Sequence, residues 1–139
     1  NSVDTIEVDV IIPVHNAAST LKETVLSALR QEIPSSSSDH SPSPFLQRFL
    51  QNYTIEVTVC CYNDGSSDGS LEILRQIEKS SRTQKNNGAE WGAAEKIEQS
   101  TNQMAGPIPS RLIVGSSKDG KGRGAGYARN RAIEINNPW

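Results

Sequence analysis

Three times in this 139-residue chain an apolar run breaks at a turn and gives way to a helical stripe. The first run, Val8 to Val14, is "VDVIIPV", nearly continuous in apolar residues rather than alternating. Strands of that kind are covered on both faces, as in a parallel sheet flanked by helices. Pro13 is expected to stop ladder pairing near the end of this strand. Leu21, Val25, Ala28 and Leu29 follow at helical spacing, with Thr20 and Glu23 placed as a capping box. The second run starts at Ile55, reaches Tyr62 and turns through Asn63-Asp64-Gly65-Ser66. A helix is predicted from about Ser67, with Leu71, Leu74 and Ile77 inward. Ser66 or Ser67 is its expected cap, and Asp68 suits the positive end of its dipole. The third run is a strand from Arg111 to Gly115, then a glycine-rich turn, then a helix with Ala125, Ala128, Ala132 and Ile135 on one face.

Strand followed by helix, three times over, predicts an α/β fold: a Rossmann-like, doubly wound unit of three parallel strands alternating with helices, βαβαβα. The sequence reaches Asn136-Asn137-Pro138-Trp139 where a fourth strand of such a sheet is expected, so it reads as a half-domain truncated before that strand. Residues 1–139 form one domain on this reading. Two polar stretches, 33–52 and 80–109, read as disordered inserts; the first carries the Ser/Pro-rich "IPSSSSDHSPSP". "FLQRFLQ" beside it is a candidate short helix.

Bulk charge excludes some partners. Lys plus Arg is 14 against 16 Asp plus Glu, a formal net charge of −2. There is no global basic field to hold nucleic acid or an anionic membrane. No apolar run approaches the roughly 18 residues of a membrane span. Cys60 and Cys61 are neighbours in a strand, so their side chains are expected on opposite faces, unable to pair with each other. Neither has metal-ligand spacing. Reduced thiols fit a cytoplasmic protein, which is the expected location.

Ligands of α/β proteins gather at the carboxyl ends of parallel strands, and three turns lie there. Asp64 would either accept hydrogen bonds from a nucleobase N–H or a ribose hydroxyl, or serve as a turn acid that stabilises its own loop. Pro13-Val14-His15-Asn16 is stiffened by Pro13 and offers the flat ring of His15; the plainer reading is a strand-ending turn with Asn16 left-handed. The third element is "GKGRGAGYARNR". Lys118, Lys121, Arg123, Arg129 and Arg131 place five of the chain's 14 basic residues within residues 118–131. Exposed amides at a helix start plus cations make an anion site. Together the three turns describe a pocket for a phosphate-bearing nucleotide. Gly120 to Ala125 also matches G-x-G-x-x-G/A, which keeps a dinucleotide-binding (NAD or FAD) oxidoreductase domain as an alternative, although that fingerprint normally follows the first strand of its unit. A non-catalytic interaction module is the other alternative.

"VDVIIPVHNAASTLKETVLSAL", "IEVTVCCYNDGSSDGSLEIL" and "GKGRGAGYARNRAIE", in that order, resemble the start of an inverting, GT-A-fold glycosyltransferase of family 2. Within that family "RGAGYARNRA" resembles most closely the queuosine-tRNA galactosyltransferase group, also described as β-1,3-N-acetylglucosaminyltransferase-like. The resemblance implies transfer of a hexosyl group from a UDP-sugar to an acceptor hydroxyl with inversion, the acceptor being tRNA queuosine if the narrower likeness holds. It implies that Pro13 and His15 line the nucleoside site, His15 standing where the family usually has Tyr, with Asn16 also in the nucleotide-sugar site. It implies that Asp64 bonds the uracil or ribose, with Asn63 replacing the first acid of the usual pair, and that Lys121 and Arg123 lie near the phosphates. Mn²⁺ or Mg²⁺ is implied for the complete enzyme, with its ligands outside this chain. The family's Asp-x-Asp and catalytic base come after the fourth strand, and no Asp-x-Asp occurs here. The chain is therefore expected to bind the donor and to be catalytically silent by itself.

Overall fold

A computed structural model describes residues 3–35, 42–87 and 105–138. In chain order the elements are β1 (Asp4–Val14), α1 (Ala18–Leu29), β2 (Glu32–Ile33), α2 (Pro44–Leu50), β3 (Tyr53–Asn63), α3 (Ser70–Asn87), β4 (Gly106–Pro107), β5 (Ser110–Ser116) and α4 (Ala125–Asn136). The main sheet is parallel, in the order β1-β3-β5. Its register aligns Val14, Asn63 and Ser116 across the carboxyl edge. This is the Rossmann-like α/β arrangement of three parallel strands alternating with helices that the sequence predicts.

The central strand β3 shows why its sequence does not alternate. Val57, Val59 and Cys61 face one core with Leu21 and Val25 of α1 and Leu74 and Ile77 of α3. Cys60 and Tyr62 face the other, under Ala128 and Ala132 of α4. Both faces are covered, so both sets must be apolar. The small α4 residues let the helix approach closely. Gly115 helps, since a Cβ there would stand 2.9 Å from Ile135 Cδ1. Ala125, expected on the same face, lies exposed at the first position of the helix.

The two thiols are free, buried, and on opposite faces of β3. Burial, with the Asp9 carboxylate adding to it, pushes Cys60 up to about 11; burial, with Cys60 adding to it, pushes Cys61 up to about 12. Between the ordinary value of 9.0 and those values, the folded chain holds more protons than the unfolded one. Stability should therefore fall as pH rises through that window. Both thiols should resist Ellman's reagent at pH 8 and react together once the chain is unfolded in guanidinium. Rapid labelling of the native protein would show that the β3 core is open.

Pro13 does not end the ladder. Pro13 is aligned with Tyr62 and Val14 with Asn63, and Asp64 N then donates to Val14 O at 2.8 Å. Val14 is thus the residue bonded toward β3, and the missing N–H of Pro13 falls on the open side of an edge strand, where it costs nothing. The capping box at Thr20 and Glu23 does not form either. Helix α1 begins at Ala18, so Thr20 is already inside it, and Ala17 at the cap has no side-chain acceptor to offer.

The edges of the two expected inserts are built structure. β2 pairs antiparallel with β4, so residues near the start of the first stretch clip onto residues near the end of the second. Ile33, Leu50 and Ile108 are all buried in the α1–α3 core. Ser43 caps α2 by accepting from Leu46 N, with Pro44 at the first helical turn. Helix α3 continues past residue 80 to Asn87. Single apolar anchors in a polar background carry too little weight to show in composition, yet each is enough to pin a short segment. Residues 36–41 and 88–104 lie outside the described residues. Among the described residues no helix is long and apolar enough to cross a membrane.

Candidate functional site

Parallel strands deliver three turns to one rim: residues 15–17 after β1, 64–69 after β3 and 117–124 after β5. The middle turn holds the other two. Asn16 adopts φ 49, a left-handed conformation that Asn tolerates better than most residues. Its N–H donates to Ser66 Oγ at 2.9 Å, and its Oδ1 accepts from Ser67 N at 2.7 Å. The first amides of α1 are satisfied from the same turn. Ala17 N donates to Ser70 Oγ at 2.9 Å and Ala18 N to Asp68 Oδ2 at 3.1 Å. Asp68 Oδ1 also accepts from Ser70 N and Ser70 Oγ, at 3.0 and 2.6 Å, which opens α3. These bonds hold the Asp68 carboxyl below its ordinary range. One short acidic turn therefore caps two helices, its own and α1. Ser66 and Ser67, expected to cap α3, are turned instead to Asn16.

Asp64 makes the second junction. It is only 3% exposed. Oδ1 accepts from Arg123 N at 2.9 Å; Oδ2 accepts from Arg123 N at 3.0 Å and from Gly124 N at 2.8 Å. Gly124 is the residue before α4, with φ 101, so Asp64 caps α4 from a different strand. The carboxylate thus faces the glycine-rich turn. It is neither stabilising its own loop nor turned away from the other two turns. His15 joins the junction: Asp64 O can only accept, so the 2.7 Å bond to His15 Nδ1 places the ring proton on Nδ1. Backbones interlock here as well. A Cβ on Gly122 would come within 2.9 Å of Asp64 O, and one on Gly65 would overlap the Gly122 backbone nitrogen.

His15, Asn16, Asp64 and the backbones of Lys121 and Arg123 are therefore gathered at one rim, while Pro13 lies within β1, two residues before His15. The side chains of Lys121 and Arg123 are exposed. Lys121 N donates to Asp119 Oδ1 at 3.0 Å, which folds the turn, and Gly120 at φ 71 supplies the left-handed step.

A cavity of about 440 Å³ opens beside the glycine-rich turn, lined by Tyr62, Ser116, Lys118, Asp119, Arg123, Tyr127 and Arg131. The Arg123 and Arg131 guanidinium carbons stand 5.5 and 5.2 Å from the centre of the Tyr127 ring. Tyr62 meets that ring edge-on at 6.2 Å. Tyr127 and Asp119 are the site residues that motif reading passes over. The signal for Tyr127 was present: Tyr127 and Arg131 are four apart on one side of α4, and Arg123 stands four before Tyr127, just ahead of the helix.

What can this arrangement bind? Two guanidiniums, Lys118 and aromatic walls suit an anion joined to a planar or ring-shaped group. A divalent ion is a different matter. Among the described residues no group of three or more His, Cys, Asp or Glu could hold a metal. The two rim carboxylates nearest the cations, Asp64 and Asp119, are already committed to N–H donors. The described residues do not fit a catalytic metal.

Comparison with known proteins adds one positive finding. A family model described as "Glycosyl transferase family 2" matches residues 9–104. The match begins within β1, takes in α1, β3 and α3, and stops short of β5 and the glycine-rich turn. Neither a search of curated proteins nor a search of solved structures finds a significant match.

Proposed function

The chain belongs to glycosyl transferase family 2, and from that premise we propose that its three-turn rim binds the nucleotide of a UDP-sugar, the donor in hexosyl transfer to an acceptor hydroxyl with inversion. The observation that supports this reading is the junction at Asp64, which ties the β1 turn and the glycine-rich turn into one rigid edge. Pro13, His15 and Asn16 would border the nucleoside. The side chains of Lys121 and Arg123 would face the phosphates. Asp64 would meet the base or ribose with whatever acceptor capacity remains after it has fixed the turn.

In an inverting transfer the acceptor oxygen bonds to the anomeric carbon from the face opposite the leaving group. The bond from that carbon to the diphosphate oxygen breaks, and the electron pair leaves with UDP. Cations that strengthen their hold on the departing diphosphate lower the barrier. Lys121 and Arg123 could make such a contribution. The 139 residues contain no Asp-x-Asp, so on this reading donor binding rather than turnover is the expected activity of the chain. An acceptor of the tRNA-queuosine kind is supported by the motif Arg123–Ala132 alone.

Calorimetric titration with UDP and, in parallel, with NAD⁺ tests the assignment. UDP should bind, and more tightly than NAD⁺. Tighter binding of NAD⁺, lost on replacing Gly122, would overturn it in favour of a dinucleotide site.

A further inference from the structure

Asp119 holds Arg123 in a specific way. Arg123 Nη2 donates to Oδ2 at 2.6 Å and Nη1 to Oδ1 at 3.1 Å. Two near-parallel N–H bonds from one guanidinium onto two oxygens of one group is the fork that a phosphate would also accept. The guanidinium is steadied by Tyr127, so its direction is set before any ligand arrives. The pair lies on the wall of the 440 Å³ cavity, in company with Lys118 and Arg131. Asp119 is the one carboxylate among the lining residues, set among three cations. Neither partner is shut away: the Arg123 and Asp119 side chains are 43% and 44% exposed. An incoming anion can reach the same face of Arg123.

We propose that Asp119 is a built-in stand-in for a ligand phosphate, occupying the guanidinium fork of Arg123 until a phosphate ester enters the cavity and displaces it. The inference rests on the reading of this rim as a nucleotide site, and it assigns the cavity between the end of β5 and α4 to the phosphate end of the ligand. The exchange is cheap. An exposed ion pair holds weakly against water, so a dianionic phosphate with Lys118 at hand, and with Arg131 beside it though bonded through Nη2 to Glu134 Oε1 at 2.6 Å, can replace a single carboxylate. The Arg123 guanidinium, through its hydrogen bonds, holds the Asp119 carboxyl down to about 2, so the stand-in is charged at every working pH. Its effect is to set a threshold. Mononegative or neutral molecules of similar shape do not outcompete it, whereas a diphosphate does.

Asp119→Asn tests this directly. The amide oxygen can still accept from Lys121 N, so the turn keeps its fold, but the competing charge is gone. Affinity for inorganic pyrophosphate and for UDP should rise by about threefold to fivefold, with uridine unchanged. Arg123→Gln should weaken both anions, and adding Asp119→Asn to it should restore nothing. In the wild-type chain, pyrophosphate should shift the Arg123 Nε–H resonance as the guanidinium changes partner. UDP binding unchanged or weakened in Asp119→Asn, or an Arg123 signal indifferent to pyrophosphate, would overturn the stand-in while leaving the donor site standing. Tightened pyrophosphate binding without any UDP binding would keep the stand-in and remove the donor reading.

Discussion

Asp64→Ala should destabilise the domain by about 3 kcal/mol and abolish UDP binding. The carboxylate is buried and accepts from two backbone amides of another loop. Hydrogen bonds to a charged group are worth about 1.5–3 kcal/mol each, and removing the acceptor leaves both amides orphaned. Helix α4 also loses the anion at its positive end. Asp64→Asn separates the contributions. It keeps one carbonyl-type acceptor but turns an NH₂ toward the second donor, so it should lose about half as much stability. Urea titration with unchanged slope is the measurement. An alanine variant within about 0.5 kcal/mol of wild type would show that the glycine-rich turn holds its shape without the β3 acid.

The second large effect belongs to Gly65. Its φ of +66 disfavours any L-residue, and a Cβ there would overlap the Gly122 nitrogen and lie 2.5 Å from Lys121 C. Those are backbone atoms, which cannot swing aside as a side chain would. Left-handed strain alone is about 1–2 kcal/mol, and separating two interlocked turns adds at least as much. Gly65→Ala should therefore cost about 3 kcal/mol or more and shift amide resonances throughout residues 120–124. Gly69 supplies the control. It lies in the same turn, its φ is not positive, and nothing stands within 4 Å of an added Cβ. Gly69 stands at the cap of α3, where alanine is a poorer residue than glycine, so Gly69→Ala should cost no more than about 1 kcal/mol. Equal losses at both glycines would mean the interlock is not what makes Gly65 necessary.

The sheet was legible because its signal is repeated: Val8 to Val14, Ile55 to Tyr62 and Arg111 to Gly115 each run into a turn and a helical stripe. Given three parallel strands, the meeting of His15, Asp64 and the glycine-rich turn follows from topology alone. What those residues hold there was not legible. Asp64 reaches amides 59 and 60 residues further along the chain, and sequence spacing carries no mark of such a bond. Capping failed for a related reason. Thr20 and Glu23 have the spacing of a local box, yet α1 takes its cap from Ser70 and Asp68, more than 50 positions away or close to it. Ile33, Leu50 and Ile108 were hidden in another manner, as lone apolar anchors inside polar stretches. The family match confirms the reading of the first two βα units and does not extend to the third.

The clip between β2 and β4 has a consequence for how such a fold tolerates variation. Ile108 N donates to Gln31 O at 2.9 Å, and Ser110 Oγ to Leu29 O at 2.7 Å, so both connectors are stitched together where the parallel strands begin. The opposite pole carries the interlocked turns. Surplus chain can thus be spliced in at the amino ends of the strands without loosening the joint at their carboxyl ends. A fluorophore or affinity tag entering through that pole should report on the protein while the binding edge keeps its shape.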